Sequence, residues 1–256
     1  MKTDHPFFSI ITASLNCVDT IQETIDSVAG QTFQHIEHII IDGGSTDGTP
    51  DILKSYQRGY NLFWISEPDK GIADALNKGM KMARGSYILV VQADDRLVSP
   101  NILCQIYPLL KDERSDIYSF PVILENNSKE RTLLKPIKVR WWYHFKTILL
   151  HQGSFIHRRL YERVGHYRTE FSISMDYDFF YRAIMDDATL HFEEIPVAFM
   201  GTEGISRDRD LLTRRIREEA MVQRMNERTK FWRFAQVLFH SLYFPYKTRI
   251  LPLLAK

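Results

Sequence analysis

Short apolar runs alternate with amphipathic stretches along the first third of the chain. Phe7 to Ser14 is predicted as a buried first strand, and Ile36 to Ile41, Asn61 to Ile65 and Tyr87 to Val91 as the second, third and fourth. Between the first two, Val18 to Ala29 carries Ile21, Ile25 and Val28 at spacings of four and three, which predicts a helix with one apolar face. Ser45 to Thr49, followed by Pro50, reads as a turn and a helix start, because small polar side chains cap and proline fits the first helical turn. Ile72 to Ala83 is the third helix. Strands alternating with helices of this length imply βαβ units, a parallel sheet and right-handed crossovers. After Asp95 the rhythm changes. Ile102 to Leu110, Arg158 to Val164 and about Asp176 to Met185 read as helices, Ile117 to Leu124 and His191 to Phe199 as strands, and Glu125 to Glu130 as a polar hairpin turn.

Two apolar strands stop abruptly at carboxylates. The second ends in Asp42, and the fourth runs through Gln92 and Ala93 into Asp94 and Asp95. In a parallel α/β sheet ligands bind just beyond the carboxyl ends of the strands. A lone Asp there can accept hydrogen bonds from a base or a sugar. A pair can hold a hard divalent cation that keeps positions open for phosphate oxygens. Ser14-Leu15-Asn16-Cys17, after the first strand, lacks the glycine-rich loop of a dehydrogenase and the basic glycine-rich loop of a sugar-activating nucleotidyltransferase.

Composition narrows the picture a little further. At 256 residues and 44% apolar side chains the chain suits one large domain, or a domain with an appendage. A net charge of +1 carries no nucleic-acid signature. That charge is uneven: residues 207–256 hold 12 Lys/Arg against 5 Asp/Glu, and residues 1–206 hold 21 against 27. Cys17 and Cys104 lie far apart and in no metal-ligand spacing. The N-terminus does not read as a signal peptide, and no run reaches the roughly 18–20 apolar residues that span a bilayer. The expected compartment is the cytoplasm or the inner face of its membrane. From Phe231 to Phe244 the chain is rich in Phe, Trp, Leu and Tyr, while Thr229, Arg233, Gln236 and His240 recur at four, three and four residues. That spacing predicts a helix with one narrow polar stripe, ended by Pro245. Two settings suit it: an anionic membrane surface, which the preceding basic residues would favour, or packing on the body or in a dimer.

The order of Ser9 to Asn16, Ile41 to Thr49, Ser66 to Gly79 and Ala93-Asp94-Asp95 resembles the family 2 glycosyltransferases, which include many bacterial polysaccharide and O-antigen sugar transferases. His151 to Phe155, Asp176 to Arg182 and Glu203 to Ser206 fit the same family, so the likeness covers about residues 7–206. It implies an α/β fold of the GT-A nucleotide-diphospho-sugar transferase type: a central, mostly parallel twisted sheet, helices on both faces and a C-terminal helical tail. Residues 1–206 would form the catalytic domain and 207–256 a basic, aromatic-rich tail. The implied reaction is inverting sugar transfer from a nucleotide-diphosphate donor to a hydroxyl of a glycan or lipid-linked acceptor. The family likeness assigns Asp42 to the nucleobase, with Ser14 and Asn16 lining the same site; Asp47, three residues before the helix proper, is expected to cap it. It assigns Asp94 to the ribose or sugar and Asp95 to Mg²⁺ or Mn²⁺, with Gln92 standing where members carry Asn or Ser. Lys70, Asn77 and His151 would be further donor contacts. Asp176 would be the general base, although Met175 departs from the acidic pair usual there, and Asp178 is expected to pair with Arg182 four residues on. The rival readings are a sugar-activating nucleotidyltransferase and a non-catalytic nucleotide-sugar-binding protein.

Overall fold

The computed structural model describes residues 5–56, 60–201 and 211–250. The first half follows the predicted alternation: β1 (Phe8–Ser14), α1 (Ile21–Ala29), β2 (Ile36–Asp42), α2 (Thr49–Tyr56), β3 (Leu62–Ser66), α3 (Ile72–Met82) and β4 (Tyr87–Val90). β5 (Arg96–Leu97) and α4 (Ile102–Leu110) follow, then β6 (Ile117–Ser119), β7 (Val122–Glu125) and β8 (Arg131–Leu134). Next come β9 (Ser154–His157), α5 (Arg158–Val164), α6 (Met175–Met185), β10 (Leu190–Phe192) and β11 (Ala198–Gly201). Two helices follow, α7 (Leu212–Asn226) and α8 (Lys230–Pro245), and the helical path does not stop at Pro245 as expected but continues into a π-helical turn, Tyr246–Ile250.

The main sheet has seven strands in the order β10-β6-β9-β4-β1-β2-β3. β4, β1, β2 and β3 are parallel, and β9 runs antiparallel between β4 and β6. Alternation along the strands divides the core. Ile11 of β1 and Ile88 and Val90 of β4 pack with Leu76 and Met80 of α3, while Phe8, Ile10, Tyr87 and Leu89 pack with Ile102, Leu103 and Ile106 of α4. Helices therefore cover both faces, as a parallel sheet buried on two sides requires.

Two predicted strands are each divided in the structure. Ile117 to Leu124 becomes β6 and β7, in different sheets, separated at Pro121; His191 to Phe199 becomes β10 and β11, separated at Pro196. Proline cannot donate to a ladder, so each divides an apolar run and lets the chain change sheets. The result is a second sheet, β5-β11-β7-β8, with β5 starting directly after Asp95. Arg96 bridges Glu125 of β7 at 2.7 Å and Glu23 of α1 at 3.1 Å, which ties the second sheet to the main layer. The Arg96 guanidinium holds the Glu125 carboxyl down at about 2. β9 joins the sheet where Gly153 meets Phe120: Phe120 N donates to Gly153 O, and a Cβ on Gly153 would lie 2.2 Å from the Phe120 carbonyl oxygen.

α7 packs on α6, and α8 on α7. The expected domain boundary at 206/207 and the Glu203–Ser206 motif fall outside the described residues. On α8 the polar stripe faces the body. Gln236 is buried and donates to His144 O at 2.9 Å and Tyr181 Oη at 3.1 Å; His240 Nε2 meets Gln223 Oε1 at 2.9 Å; Arg233 donates to Glu227 O at 3.0 Å. Trp232 stacks on His144 with ring centroids 4.0 Å apart. No helix among the described residues is long and apolar enough to cross a membrane.

Candidate functional site

Parallel register brings three polar strand ends side by side: Ser14 of β1 pairs with Asp42 of β2, and Asp42 with Ser66 of β3. The Asp42 carboxylate is fully buried and accepts four hydrogen bonds. Ser14 Oγ (3.1 Å) and Ser45 Oγ donate to its Oδ1, and Ser45 N (2.9 Å) and Ser66 Oγ (2.7 Å) to its Oδ2. Burial pushes this carboxyl up, but the donors outweigh it and hold the group below the usual carboxylate range. Asp42 thus organises the loop after β2, and its acceptor positions are met by protein groups. Asn16 extends the arrangement from a positive φ of 52°: its N–H donates to Ser45 Oγ at 2.7 Å and its Oδ1 accepts from Thr46 N at 3.0 Å. Gly43 lies under Asp69, whose Oδ2 would sit 2.6 Å from a Cβ there. Asp47 takes the expected capping role, accepting from Thr49 N (3.1 Å), Thr49 Oγ1 (2.7 Å) and Val18 N (3.0 Å).

At the end of β4 the two carboxylates separate by environment. Asp94 is exposed, while Asp95 is buried and accepts from Gly201 N at 3.2 Å, Gln92 N at 3.3 Å and the Gln152 side chain. Burial and then the Asp94 charge push the Asp95 carboxyl well above the usual range. Adjacent carboxylates of this kind raise the local negative potential, and a hard divalent cation is the counter-charge they suit. Among the described residues no three His, Cys, Asp or Glu side chains converge as a metal cage. Two carboxylates with the rest of the shell left to phosphate and water is the donor set Mg²⁺ or Mn²⁺ accepts. Asp94 is also close enough to Cys17 to raise its thiol together with Asp47 and Asp42, after the larger effect of burial. The β4 end and the loops after β1 and β2 therefore lie close together around Cys17.

Asp176 is the second residue of α6 and keeps some contact with solvent. Crowding by protein pushes its carboxyl up to about 6, and Glu219 of α7 adds to the shift. Asp178 is fully buried and paired. Arg168 and Arg182 reach it at 3.0 and 2.9 Å, and Asn226 of α7 donates to it at 2.9 Å. The expected pairing with Arg182 is present, and it leaves Asp176 as the available carboxyl of this turn.

Three further sequence candidates have other surroundings. Asn77 is a staple: its amide donates to Tyr167 O at 2.8 Å and accepts from Tyr167 N at 3.0 Å. His151 is buried with Nε2 at 2.7 Å from Tyr167 Oη, and burial lowers its pKa to about 4. Lys70 is exposed just before α3, its N–H donating to Asp74 at 3.1 Å. Within the His151-Gln152-Gly153 run it is Gln152 that reaches the metal-suited pair, a residue the sequence reading passed over. Ser45 and Ser66 were likewise passed over. Serine is common in loops, and only the strand register shows that both point at Asp42.

The model of the family described as "Glycosyl transferase family 2" matches residues 9–177. A PGL/p-HBAD biosynthesis glycosyltransferase of Mycobacterium bovis is 29% identical over 224 residues, covering 82% of this chain and 84% of that protein. Among solved structures, TarS 1–349 of S. aureus in complex with UDP-GlcNAc superposes with a TM-score of 0.70 at 18% identity, over 94% of this chain and 73% of that one. The mannosyltransferase PcManGT of Pyrobaculum calidifontis, in complex with GDP-Man and Mn²⁺, has a TM-score of 0.70 at 17% identity, over 96% and 72%. These neighbours are GT-A glycosyltransferases, and the α/β fold with its mostly parallel sheet is theirs.

Replacing Asp42 by Ala should lower stability by roughly 1–3 kcal/mol near neutral pH, since buried donors lose a charged acceptor. A carboxyl held low in the folded state stabilises above its unfolded pKa and ceases to do so as pH falls through the folded one. The gap between native and Asp42→Ala should therefore close in acid. Urea midpoints at pH 7 and pH 3 check this, and a gap that widens in acid contradicts the role given to Asp42.

Proposed function

The chain belongs to glycosyl transferase family 2, and from that premise we propose that it is an inverting enzyme of cell-surface polysaccharide or glycolipid biosynthesis. It moves a sugar from a nucleotide-diphosphate donor to a hydroxyl of a glycan or lipid-linked acceptor. The observation that carries this reading is the difference between Asp176 and Asp178. One is partly open with its carboxyl raised to about 6, and the other is locked between two arginines. A lone carboxylate near neutral pKa is suited to general-base work.

Asp176 takes the proton of the acceptor hydroxyl as that oxygen attacks the anomeric carbon. The bond from that carbon to the diphosphate breaks on the opposite side, and the nucleoside diphosphate leaves. No second carboxylate is assigned as a covalent nucleophile, so configuration inverts. Asp95, with Asp94 beside it, would hold Mg²⁺ or Mn²⁺, which when bound neutralises charge developing on the leaving diphosphate. The PcManGT complex with Mn²⁺ supports divalent-metal use, and the TarS and PcManGT complexes support a nucleotide-sugar donor. Asp94 faces the ribose or sugar. Ser14, Asn16 and Asp42 shape the nucleoside wall, Asp42 through the Ser45 loop, and exposed Lys70 lies on the donor side. Asn77 and His151 serve that side at one remove, through Tyr167.

Nucleoside diphosphate release from UDP-GlcNAc and GDP-mannose, with Mg²⁺, Mn²⁺ or EDTA, tests the activity, and proton NMR of the product anomer tests the mechanism. An α-linked donor should yield a β-linked product only with metal present. A retained configuration sinks the inverting reading. Asp176→Asn should lower kcat by about 10²–10⁴-fold with donor KM nearly unchanged. Native kcat should fall as pH drops through about 6, because the protonated carboxyl cannot accept a proton. A rate flat to pH 5 moves the base role elsewhere.

The acceptor is met at the inner, cytoplasmic face of a membrane, on the outer surface of α7 and α8. With its polar stripe turned inward, α8 exposes Phe231 (70%), Phe234 (72%), Val237 (70%) and Leu242 (66%) to solvent. Residues 211–250 contain three carboxylates, and each faces the body: Glu218 on the segment before α6, Glu219 on Lys146, and Glu227 on Tyr181. Arg217, Arg224, Arg228 and Lys230 are exposed. An apolar face flanked by cations, with the carboxylates turned away, matches an anionic lipid surface. The native chain should sediment with phosphatidylglycerol vesicles more than with phosphatidylcholine vesicles. Phe234→Ser/Leu238→Ser/Leu242→Ser should lose this binding at an unchanged melting temperature. Equal sedimentation of both forms overturns the reading, as does a native chain that ignores vesicles and elutes as a dimer through this face.

A further inference from the structure

α6 carries Asp176 in its first turn, yet Ser174 at its N-cap makes no side-chain capping bond. The first N–H groups of a helix have no partners within it and need acceptors from elsewhere. A carboxylate from another helix approaches just ahead of this one. Glu218 of α7 accepts from Ser174 N at 2.9 Å and Ile173 N at 2.8 Å through Oε2, and from Ser172 N at 3.3 Å and Ser172 Oγ at 2.9 Å through Oε1. Glu218 is buried, and although burial pushes its carboxyl up, these donors hold it below the usual range, so it is ionised at neutral pH. A negative charge there also suits the positive end of the helix dipole. On the far side of Asp176, Asn226 of α7 and Arg168 hold Asp178. One helix therefore grips the backbone two residues before Asp176 and the side chain two residues after it.

We propose that Glu218 is the positioning residue for Asp176, and that α7 is part of the catalytic apparatus. This rests on the reading of Asp176 as the base. A carboxyl in the first turn of a helix moves with the backbone that starts the helix. Freed from Glu218, residues 172–174 can shift by a fraction of a turn, and a misplacement of about 1 Å at a reacting group can lower rates by about 10²-fold. Donor binding uses the loops after β1, β2 and β4, none of which Glu218 touches among the contacts described. The effect should therefore appear in kcat and leave donor KM in place.

The test is a double-mutant cycle on the full chain, following nucleoside diphosphate release from UDP-GlcNAc and from GDP-mannose. Glu218→Ala should lower kcat by about 10–10²-fold with donor KM within about threefold. Glu218→Gln, whose amide oxygen still accepts, should recover much of that loss. Arg214→Ala removes a cation that reaches Glu218 at 3.1 Å and should leave kcat unchanged. In an Asp176→Asn background Glu218→Ala should lower kcat no further, since it acts through the missing base. Equal additional losses in both backgrounds overturn the proposal, as does a native kcat in Glu218→Ala. If Asp176→Asn itself has native kcat, the base assignment has failed, and the Glu218→Ala kcat then reports on α7 separately. Should Glu218→Ala not fold, Glu218→Asp, whose shorter side chain keeps the charge but falls short of residues 172–174, takes its place in the same cycle: a native kcat or an equal loss in both backgrounds overturns the proposal, and a loss seen only with Asp176 intact supports it.

Discussion

A negative charge taken out of water must be met by hydrogen-bond donors, by a cation, or by a proton, and the candidate site depends on how that requirement is satisfied at each carboxylate. Asp42 has four donors and stays ionised inside the protein, where it shapes the loop after β2. Asp95 has backbone and amide donors but also Asp94 next to it, so its charge is under-compensated and suits a metal ion. Asp178 has two arginines. Asp176 has neither cation nor full solvation, so its proton affinity rises toward the range useful for a base. One residue type thus takes four roles, set by its surroundings.

The C-terminal helices obey the same requirement in a less usual arrangement. A surface helix ordinarily turns its apolar face to the core. On α8 two aromatic side chains lie inward, Trp232 against Trp141, His144 and Phe145, and Phe239 against Trp142 and Phe145. Between them the inward hydrogen bonds run to His144, Tyr181, Gln223 and Glu227. These buried groups were already polar, and the stripe of α8 supplies their partners. Phe231, Phe234, Val237, Leu238 and Leu242 are left facing out. The two settings expected for the tail are therefore compatible, because packing uses the polar stripe with Trp232 and Phe239 and leaves the face of Phe231, Phe234, Val237, Leu238 and Leu242 exposed.

Prolines and one glycine settle how the second half of the fold meets the first. Pro121 and Pro196 divide apolar runs so that each contributes to two sheets, and the end of β11 brings Gly201 N to Asp95. Gly153 allows β9 to approach Phe120 with no room for a Cβ, and Gln152 beside it reaches the same carboxylate. The metal-suited pair is consequently braced from both sheets.

The sequence by itself determined the alternating first half, both strand-end acidic positions, the capping Asp47 and the Asp178–Arg182 pair. Each is a local matter of periodicity, chain reversal or a spacing of four, and such features are written in neighbouring residues. It also held the polar stripe of α8, though not which way the stripe would face. Tertiary structure alone decided the register that sets Ser14 and Ser66 against Asp42, and the insertion of four-residue β9 antiparallel into the sheet. It alone also decided the contacts of Gln152 with Asp95 and of Glu218 with the start of α6. Those contacts join residues 44 to 57 positions apart, and no local pattern encodes which distant partner a buried polar group will meet. His151 and Asn77 illustrate the limit: their motifs drew attention to the right segments, but packing against Tyr167 decided what their side chains do.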